Sequence, residues 1–462
     1  MELEIKEPKG RWRYHLLRRY TKLAFLLYYR RVEQVGIKDI PTEHANILAI
    51  NHQNTLSDPL SVAAFVPFNP TFLTRADAFK NPMAARFLLW LKMLPIYRQR
   101  DGGDTLKKNE KIFDICISRL NQKQSILIFP EGSHEGKHRV RPLKKGLARI
   151  VLNAAKKSGF TLPIYIQPIG VNYTHYTKFQ SDLNVWYGEP FDVSPYYNIY
   201  QQDEKQAIAD LTHRVRKEIQ KYTLHVSHVR HYDMINQLRE WFVPDFVEKG
   251  KYPVLEGVKS GQRIISHVEK WIEDQEEEQH IDQLIQKVNE YARLLKNLDL
   301  RDHVVRKEPY FRTRLILLAP VLLLLLPLFL YGAVLNYLPY IQADAFPRKK
   351  MKDELFHSSI EIVISMILYP GWYLILFVLC WVIVGKFWIA GLFLISLPVS
   401  GLFAINYYKW VKKWWARWRF MGKKAAKDES VMRLIGLRKE LQEFMQQVMK
   451  VKNSEKALKN AG

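Results

Sequence analysis

Apolar residues fall along this chain in three regimes, and each predicts a different kind of structure. Between residues 45 and 187, short aliphatic runs alternate with stretches of helical spacing. Asn46–Ile50, Thr71–Thr74, Leu94–Tyr97, Ser125–Phe129, Ile164–Asn172 and Leu183–Tyr187 predict strands, and Pro59–Val66, Pro82–Leu91, Leu106–Leu120 and Leu143–Lys157 predict the helices between them. Alternation of this kind predicts an α/β domain over residues 41–195, a mixed sheet flanked by helices. Polar loops at the carboxyl ends of strands are where such domains carry their sites.

The second regime, residues 196–312, is polar and helical, with Ile208, Leu211, Val215 and Ile219 on one stripe. It predicts a helical insertion or linker region with no chemistry of its own. Its acidic run Glu273–Glu278 reads as a solvated helix face.

The third regime, residues 313–410, holds three apolar segments, Leu315–Tyr337, Ile362–Val384 and Phe387–Tyr408. Each is long enough to cross a bilayer, which takes about 20 helical residues. Basic residues flank the first segment on both sides: Arg306, Lys307, Arg312 and Arg314 before it, Arg348, Lys349, Lys350 and Lys352 after it. Three full crossings would place one of these clusters on the wrong side under the positive-inside rule. A first segment broken at Pro320 and Pro327 into a re-entrant shape, followed by a transmembrane hairpin, removes the conflict and leaves both termini cytoplasmic. Three plain crossings are the alternative.

Both ends of the chain are basic. Within residues 1–40, Arg11–Arg31 mixes Arg13, Arg18, Arg19 and Lys22 with Trp12, Leu16, Leu23, Leu26 and Leu27. This predicts an amphipathic helix at an anionic membrane surface, the alternative being a core-packed first helix. The tail, residues 411–462, carries a helical stripe of Leu434, Leu437, Leu441, Phe444 and Val448, suited to self-association or to packing within the chain.

Composition sharpens the choice of partner. Lys and Arg total 70 against 46 Asp and Glu in 462 residues, a formal charge of +24. Such an excess points to nucleic acid, anionic lipid or phosphorylated and CoA-like substrates. The basic residues flank membrane segments and no nucleic-acid recognition motif is present, so nucleic acid is set aside. Two distant cysteines, Cys116 and Cys380, offer neither a disulfide framework nor a zinc spacing.

The strongest local motif is Asn51-His52-Gln53-Asn54-Thr55-Leu56-Ser57-Asp58-Pro59, which follows a predicted strand and opens a predicted helix. A carboxylate on one imidazole nitrogen leaves the other free to take a proton from an attacking hydroxyl, so His52 and Asp58 are a candidate base and its partner. The plainer reading makes Asp58 the N-cap of that helix. A second strand ends in Phe129-Pro130-Glu131-Gly132-Ser133-His134, where Gly132 permits close backbone approach and Glu131 or Ser133 has reach to an acceptor hydroxyl. Lys144 and Lys145, at the start of the next helix, are candidate phosphate ligands. Arg98 and Arg100, after Leu94–Tyr97, are suited to bidentate phosphate contacts.

Together these blocks resemble the glycerolipid acyltransferase superfamily, which includes the glycerol-3-phosphate and 1-acylglycerol-3-phosphate acyltransferases. The resemblance covers roughly residues 10–195: Asn-His…Asp-Pro at 51–59, Pro-Ile-Tyr-Arg at 95–98, Phe-Pro-Glu-Gly at 129–132 and the apolar strand 164–170. It implies that His52 is the general base oriented by Asp58, that Arg98 or Arg100 holds phosphate, and that Glu131 and Gly132 belong to the acceptor block. It implies an acyl-CoA or acyl-carrier-protein co-substrate, no cofactor or metal, a phosphorylated glycerol acceptor, anionic lipid partners, and an integral membrane protein with its catalytic domain at the cytoplasmic face. One departure is informative. Five residues separate His52 from Asp58, where four are usual in the family. This longer spacing, with Pro95, Arg98 and Asp101 and with Pro142-Leu143-Lys144-Lys145-Gly146, resembles the fungal glycerol-3-phosphate and dihydroxyacetone-phosphate acyltransferases. The alternatives weighed are a lysophosphatidic acid, other lysolipid or aminolipid acceptor, and a non-catalytic membrane lipid-binding protein.

Overall fold

All six predicted runs form strands, and two further ones join them, among the described residues, in one mixed sheet of eight. The computed structural model describes residues 11–97, 105–308 and 310–459. In chain order the first elements are α1 (Arg11–Tyr28), β1 (Arg31–Val35), β2 (Ala45–Ile50), α2 (Ser57–Ala63), β3 (Thr71–Arg75), α3 (Pro82–Trp90), β4 (Met93–Ile96), α4 (Thr105–Asn121) and β5 (Ile126–Ile128). Then follow α5 (Gly146–Lys157), β6 (Ile164–Tyr173), β7 (Asp182–Tyr187), β8 (Phe191–Asp192), α6 (Tyr197–Gln202) and α7 (Glu204–Lys221).

The strand order is β1-β7-β6-β2-β5-β3-β4, with β8 also on β6. Strands β6, β2, β5, β3 and β4 run parallel, whereas β7 and β8 pair antiparallel with β6. β1 and β8 escape prediction because Arg-Val-Glu-Gln-Val is too polar and Phe-Asp too short to read as strands. Every residue of β2 is buried, as a central parallel strand covered on both faces requires. Ile47 and Ala49 join Ile112 and Cys116 of α4 and Ile150 and Val151 of α5 in the main core. Fully burying each large aliphatic side chain contributes about 1.5–3 kcal/mol.

Ile208, Leu211, Val215 and Ile219 of α7 are buried in that same core. The compact unit accordingly runs to His225, past residue 195, and also takes in Gly250–Val258 and Met351–Ile362. α1 packs one stripe, Tyr14, Thr21, Phe25 and Tyr28, while Trp12, Leu16, Leu23, Leu26 and Leu27 stay exposed.

The second unit is helical: α8 (Tyr232–Phe246), α9 (Pro253–Glu273), α10 (Glu278–Asn297), α11 (Asp302–Arg306), α12 (Arg312–Lys350), α13 (His357–Val384), α14 (Phe387–Ala425) and α15 (Glu429–Lys459), with α9 and α13 beginning in the first unit. The stripe on α15 packs within this unit: Leu434, Leu437 and Leu441 are fully buried, and Phe444 meets Trp271 edge-on at 5.0 Å. Arg438 of α15, 2.6 Å from Asp245 and 2.9 Å from Asp302, ties three helices together under the ring of Phe242.

Among the described residues three helices, carried by α12, α13 and α14, are long and apolar enough to cross a membrane. The expected break in the first does not occur. α12 is one uninterrupted helix, with Pro320 and Pro327 inside it. Proline costs a backbone bond but need not end a helix whose neighbours re-satisfy the freed group. Tyr407 of α14 donates to the Leu322 carbonyl at 2.7 Å and Trp414 Nε1 to that of Leu315 at 2.8 Å, so α14 is bonded to the same stretch of α12, although not at the Ile316 and Leu323 carbonyls that the prolines deprive of helical donors. Gly332 and Gly401 allow close approach of the same two helices, since a Cβ on Gly332 would lie 2.1 Å from the Ser400 carbonyl oxygen.

Candidate active site

Because β2 and β5 are adjacent and parallel, with Ala49 opposite Ile128, the loops after them leave the same edge of the sheet side by side. That register brings the two strongest sequence motifs together. The His52 amide donates to Glu131 Oε1 at 2.9 Å, and the His52 ring lies 4.4 Å from the Phe129 ring. Asn51 secures the start of the loop on the other side, donating to the Val171 carbonyl at 3.0 Å and accepting from the Val171 amide at 2.7 Å.

His52 and Asp58 are in contact. Nδ1 of His52 lies 2.9 Å from Oδ2 of Asp58, which also accepts from the amides of Gln53 at 2.8 Å and Asn54 at 2.7 Å. Tyr173, at the end of β6, donates to Oδ1 at 2.9 Å. A carboxylate only accepts, so Nδ1 carries the imidazole proton and Nε2 is left as the basic nitrogen. No described residue bonds Nε2, and the His52 side chain retains 17% of its exposure while Asp58 has none. Asp58 is not the N-cap. The helix begins at Ser57 with no side-chain cap, and Asp58 turns back from the first turn to hold the loop before it. Tyr173 has no sequence signal, because the strand that carries it lies 115 residues from Asp58.

Glu131 is buried with both oxygens engaged, Oε1 by the His52 amide and Oε2 by the Arg141 amide at 3.1 Å. It therefore braces the base, and is not free to meet an acceptor hydroxyl as the sequence suggested. Burial pushes its carboxyl up to about 7, against the two amides and the charges of His52 and Arg141, which hold it down. Gly132 has φ +73°, a backbone only glycine adopts freely, and Ser133 Oγ accepts from the Arg141 guanidinium. Lys144 and Lys145 are exposed at the start of α5, with the Lys144 amide donating to the Pro130 carbonyl at 2.7 Å. Arg98 and Arg100 lie outside the described residues.

The segment Met351–Ile362 is a further part of this site that sequence reasoning missed, reading its start only as a basic flank. Ser359 lies 3.0 Å from both Thr55 Oγ1 and the Ser57 amide, and Asp353 lies 2.9 Å from His134 Nε2.

Comparison with known proteins agrees with the geometry. Residues 31–172 match the Acyltransferase family and residues 253–450 match the Glycerol-3-phosphate acyltransferase 2 C-terminal domain. Glycerol-3-phosphate O-acyltransferase 1 of Saccharomyces cerevisiae is 26% identical over 215 residues, 44% of this chain and 27% of that protein. Glycerol-3-phosphate O-acyltransferase 2 of the same yeast is 25% identical over 278 residues, 56% of this chain and 36% of that protein. The chain thus spans about a third of the length of these relatives. Among solved structures, the 1-acyl-sn-glycerophosphate (LPA) acyltransferase PlsC from Thermotoga maritima is similar over 45% of this chain and 79% of its own, with 16% identity and a TM-score of 0.32. With His52 and Asp58 joined as the motif requires and both stretches of the chain matched in order, the chain carries an acyltransferase domain and resembles the fungal glycerol-3-phosphate acyltransferases.

Proposed function

We propose that this protein transfers an acyl group from a thioester, acyl-CoA or acyl-carrier protein, to the hydroxyl of glycerol 3-phosphate or a related phosphorylated acceptor. The observation that carries this reading is the His52–Asp58 contact, which leaves Nε2 as the one basic imidazole nitrogen at the loop surface. Nε2 removes the hydroxyl proton, and the oxygen attacks the thioester carbonyl. The tetrahedral intermediate collapses by expelling the thiolate, which takes the proton from the imidazolium. An ester and a free thiol leave, and His52 is regenerated. Asp58 holds the ring with Nε2 outward and stabilises the transient positive charge.

Lys144 and Lys145, beside the Pro130–Gly132 turn that abuts His52, are the described cations suited to the acceptor's phosphate, with Arg98 and Arg100 as the arginine candidates. The exposed apolar residues of α1, interleaved with Arg13, Arg19 and Lys22, support contact with anionic lipid, and the three apolar helices support anchoring in a membrane. Purified protein in nanodiscs, supplied with each donor and with glycerol 3-phosphate or its 1-acyl form, tests the acceptor. A higher kcat/KM for glycerol 3-phosphate supports the proposal, and preference for the 1-acyl form overturns it.

A further inference from the structure

The connection between α12 and α13 is short, and it belongs to the catalytic unit together with the first turns of α13, residues Met351–Ile362, which are bound into that unit at three points. Ser359, 1% exposed, is the centre of the first. Its Oγ accepts from the Ser57 amide at 3.0 Å and lies 3.0 Å from the hydroxyls of both Thr55 and Ser57. Thr55 also donates to the Leu355 carbonyl at 3.1 Å, and Ser358 donates to Asn54 Oδ1 at 3.2 Å. At the second point Asp353 pairs with His134, whose ring stands 5.4 Å from that of His52. Leu355 lies over Gly136, where any Cβ would come within 2.5 Å of it. At the third, Tyr28 donates to Glu361 at 2.8 Å.

The five-residue spacing between His52 and Asp58 gives these contacts a purpose. To close the longer loop on Asp58, the backbone at Thr55 adopts φ +36°. That is a genuine outlier for a β-branched residue, and such strain persists only where the surroundings hold it. Here the holding groups are the Ser359 hydroxyl and the Leu355 carbonyl, and they act on Thr55 and Ser57, the residues between base and partner.

We propose that the segment Met351–Ile362 is a working part of the active site, in which Ser359 is a positioning residue that sets the loop joining His52 to Asp58. The catalytic geometry is then completed by the α12–α13 connection and the first turns of α13, not by the α/β domain alone. This rests on the acyl-transfer reading for its kinetic consequence, though not for its structural one.

The test compares Ser359→Thr with Ser359→Val in the full-length protein. The two side chains share shape and volume and differ in the hydroxyl. Loss of buried hydrogen bonds to a catalytic loop predicts that kcat falls about tenfold in the valine variant relative to the threonine one, with KM for both substrates within about twofold. Hydrogen–deuterium exchange of the peptide spanning residues 51–58 should quicken by about tenfold in the same comparison, while peptides from β2 and β5 do not change. Equal kcat and equal exchange in the two variants overturn the proposal, as does loosening spread evenly over the unit. If the wild-type protein transfers no acyl group, the proposed function fails, and the exchange comparison still decides the role of Ser359.

Discussion

Nδ1 of His52 sits 2.9 Å from Oδ2 of Asp58 across a loop one residue longer than is usual in the family. The extra residue does not part them because the same oxygen also gathers the amides of Gln53 and Asn54, so the loop winds around the carboxylate. Asp58→Asn replaces a carboxylate that accepts from four donors with a neutral amide that keeps one acceptor oxygen and no charge to oppose the imidazolium. We expect kcat to fall by about a thousandfold, with the acceptor KM little changed, in steady-state assays at saturating donor.

Tyr173 holds the other oxygen of Asp58 from a neighbouring strand. Tyr173→Phe removes one hydrogen bond to a charged group and leaves the ring packed. A loss of about tenfold in kcat is expected, with circular dichroism and membrane association unchanged.

Glu131 links pH to stability. Its carboxyl, ordinarily near 4.5, is pushed by burial to about 7 in the folded protein. The folded state therefore binds this proton more tightly than the unfolded chain. Stability from this group is full below about 4.5 and declines as pH rises to about 7, by on the order of 3 kcal/mol. Glu131→Gln removes that decline. Urea melts of both proteins at pH 5 and pH 8 should show a smaller loss on going to pH 8 in the variant. Equal losses would mean that the burial of Glu131 does not govern the slope.

Much of the catalytic half was legible because its signals are local. A buried run followed by Asn-His or by Pro-Glu-Gly announces both a strand and the functional loop after it, and the parallel register of β2 and β5 then joins the two. What was not legible depends on distance in sequence. Nothing near Tyr173 or Ser359 points to Asp58 or Ser57, and Glu131 looks like a ligand until its oxygens are found on backbone amides. In α12, Pro320 and Pro327 suggested a break, whereas the helix runs on beside α14, whose Tyr407 and Trp414 bond to it from 85 and 99 residues away. The stripe of α7 is legible as helical spacing, but nothing local to it says that it packs on the sheet and belongs to the catalytic core.

The helical unit has its own point of failure. Arg438→Ala would leave Asp245 and Asp302 without their shared cation, and burial already pushes the Asp302 carboxyl up. Breaking such a partly buried group costs about 3 kcal/mol, so the variant should melt earlier while folded protein keeps its kcat.

The most direct test of the central claim is thiol release by His52→Ala in nanodiscs, with acyl-CoA and glycerol 3-phosphate. Acceptor-dependent release in the wild-type protein that falls at least about a thousandfold in the variant, with membrane association retained, is the result predicted. Release by the variant at most of the wild-type rate would contradict His52 as the base.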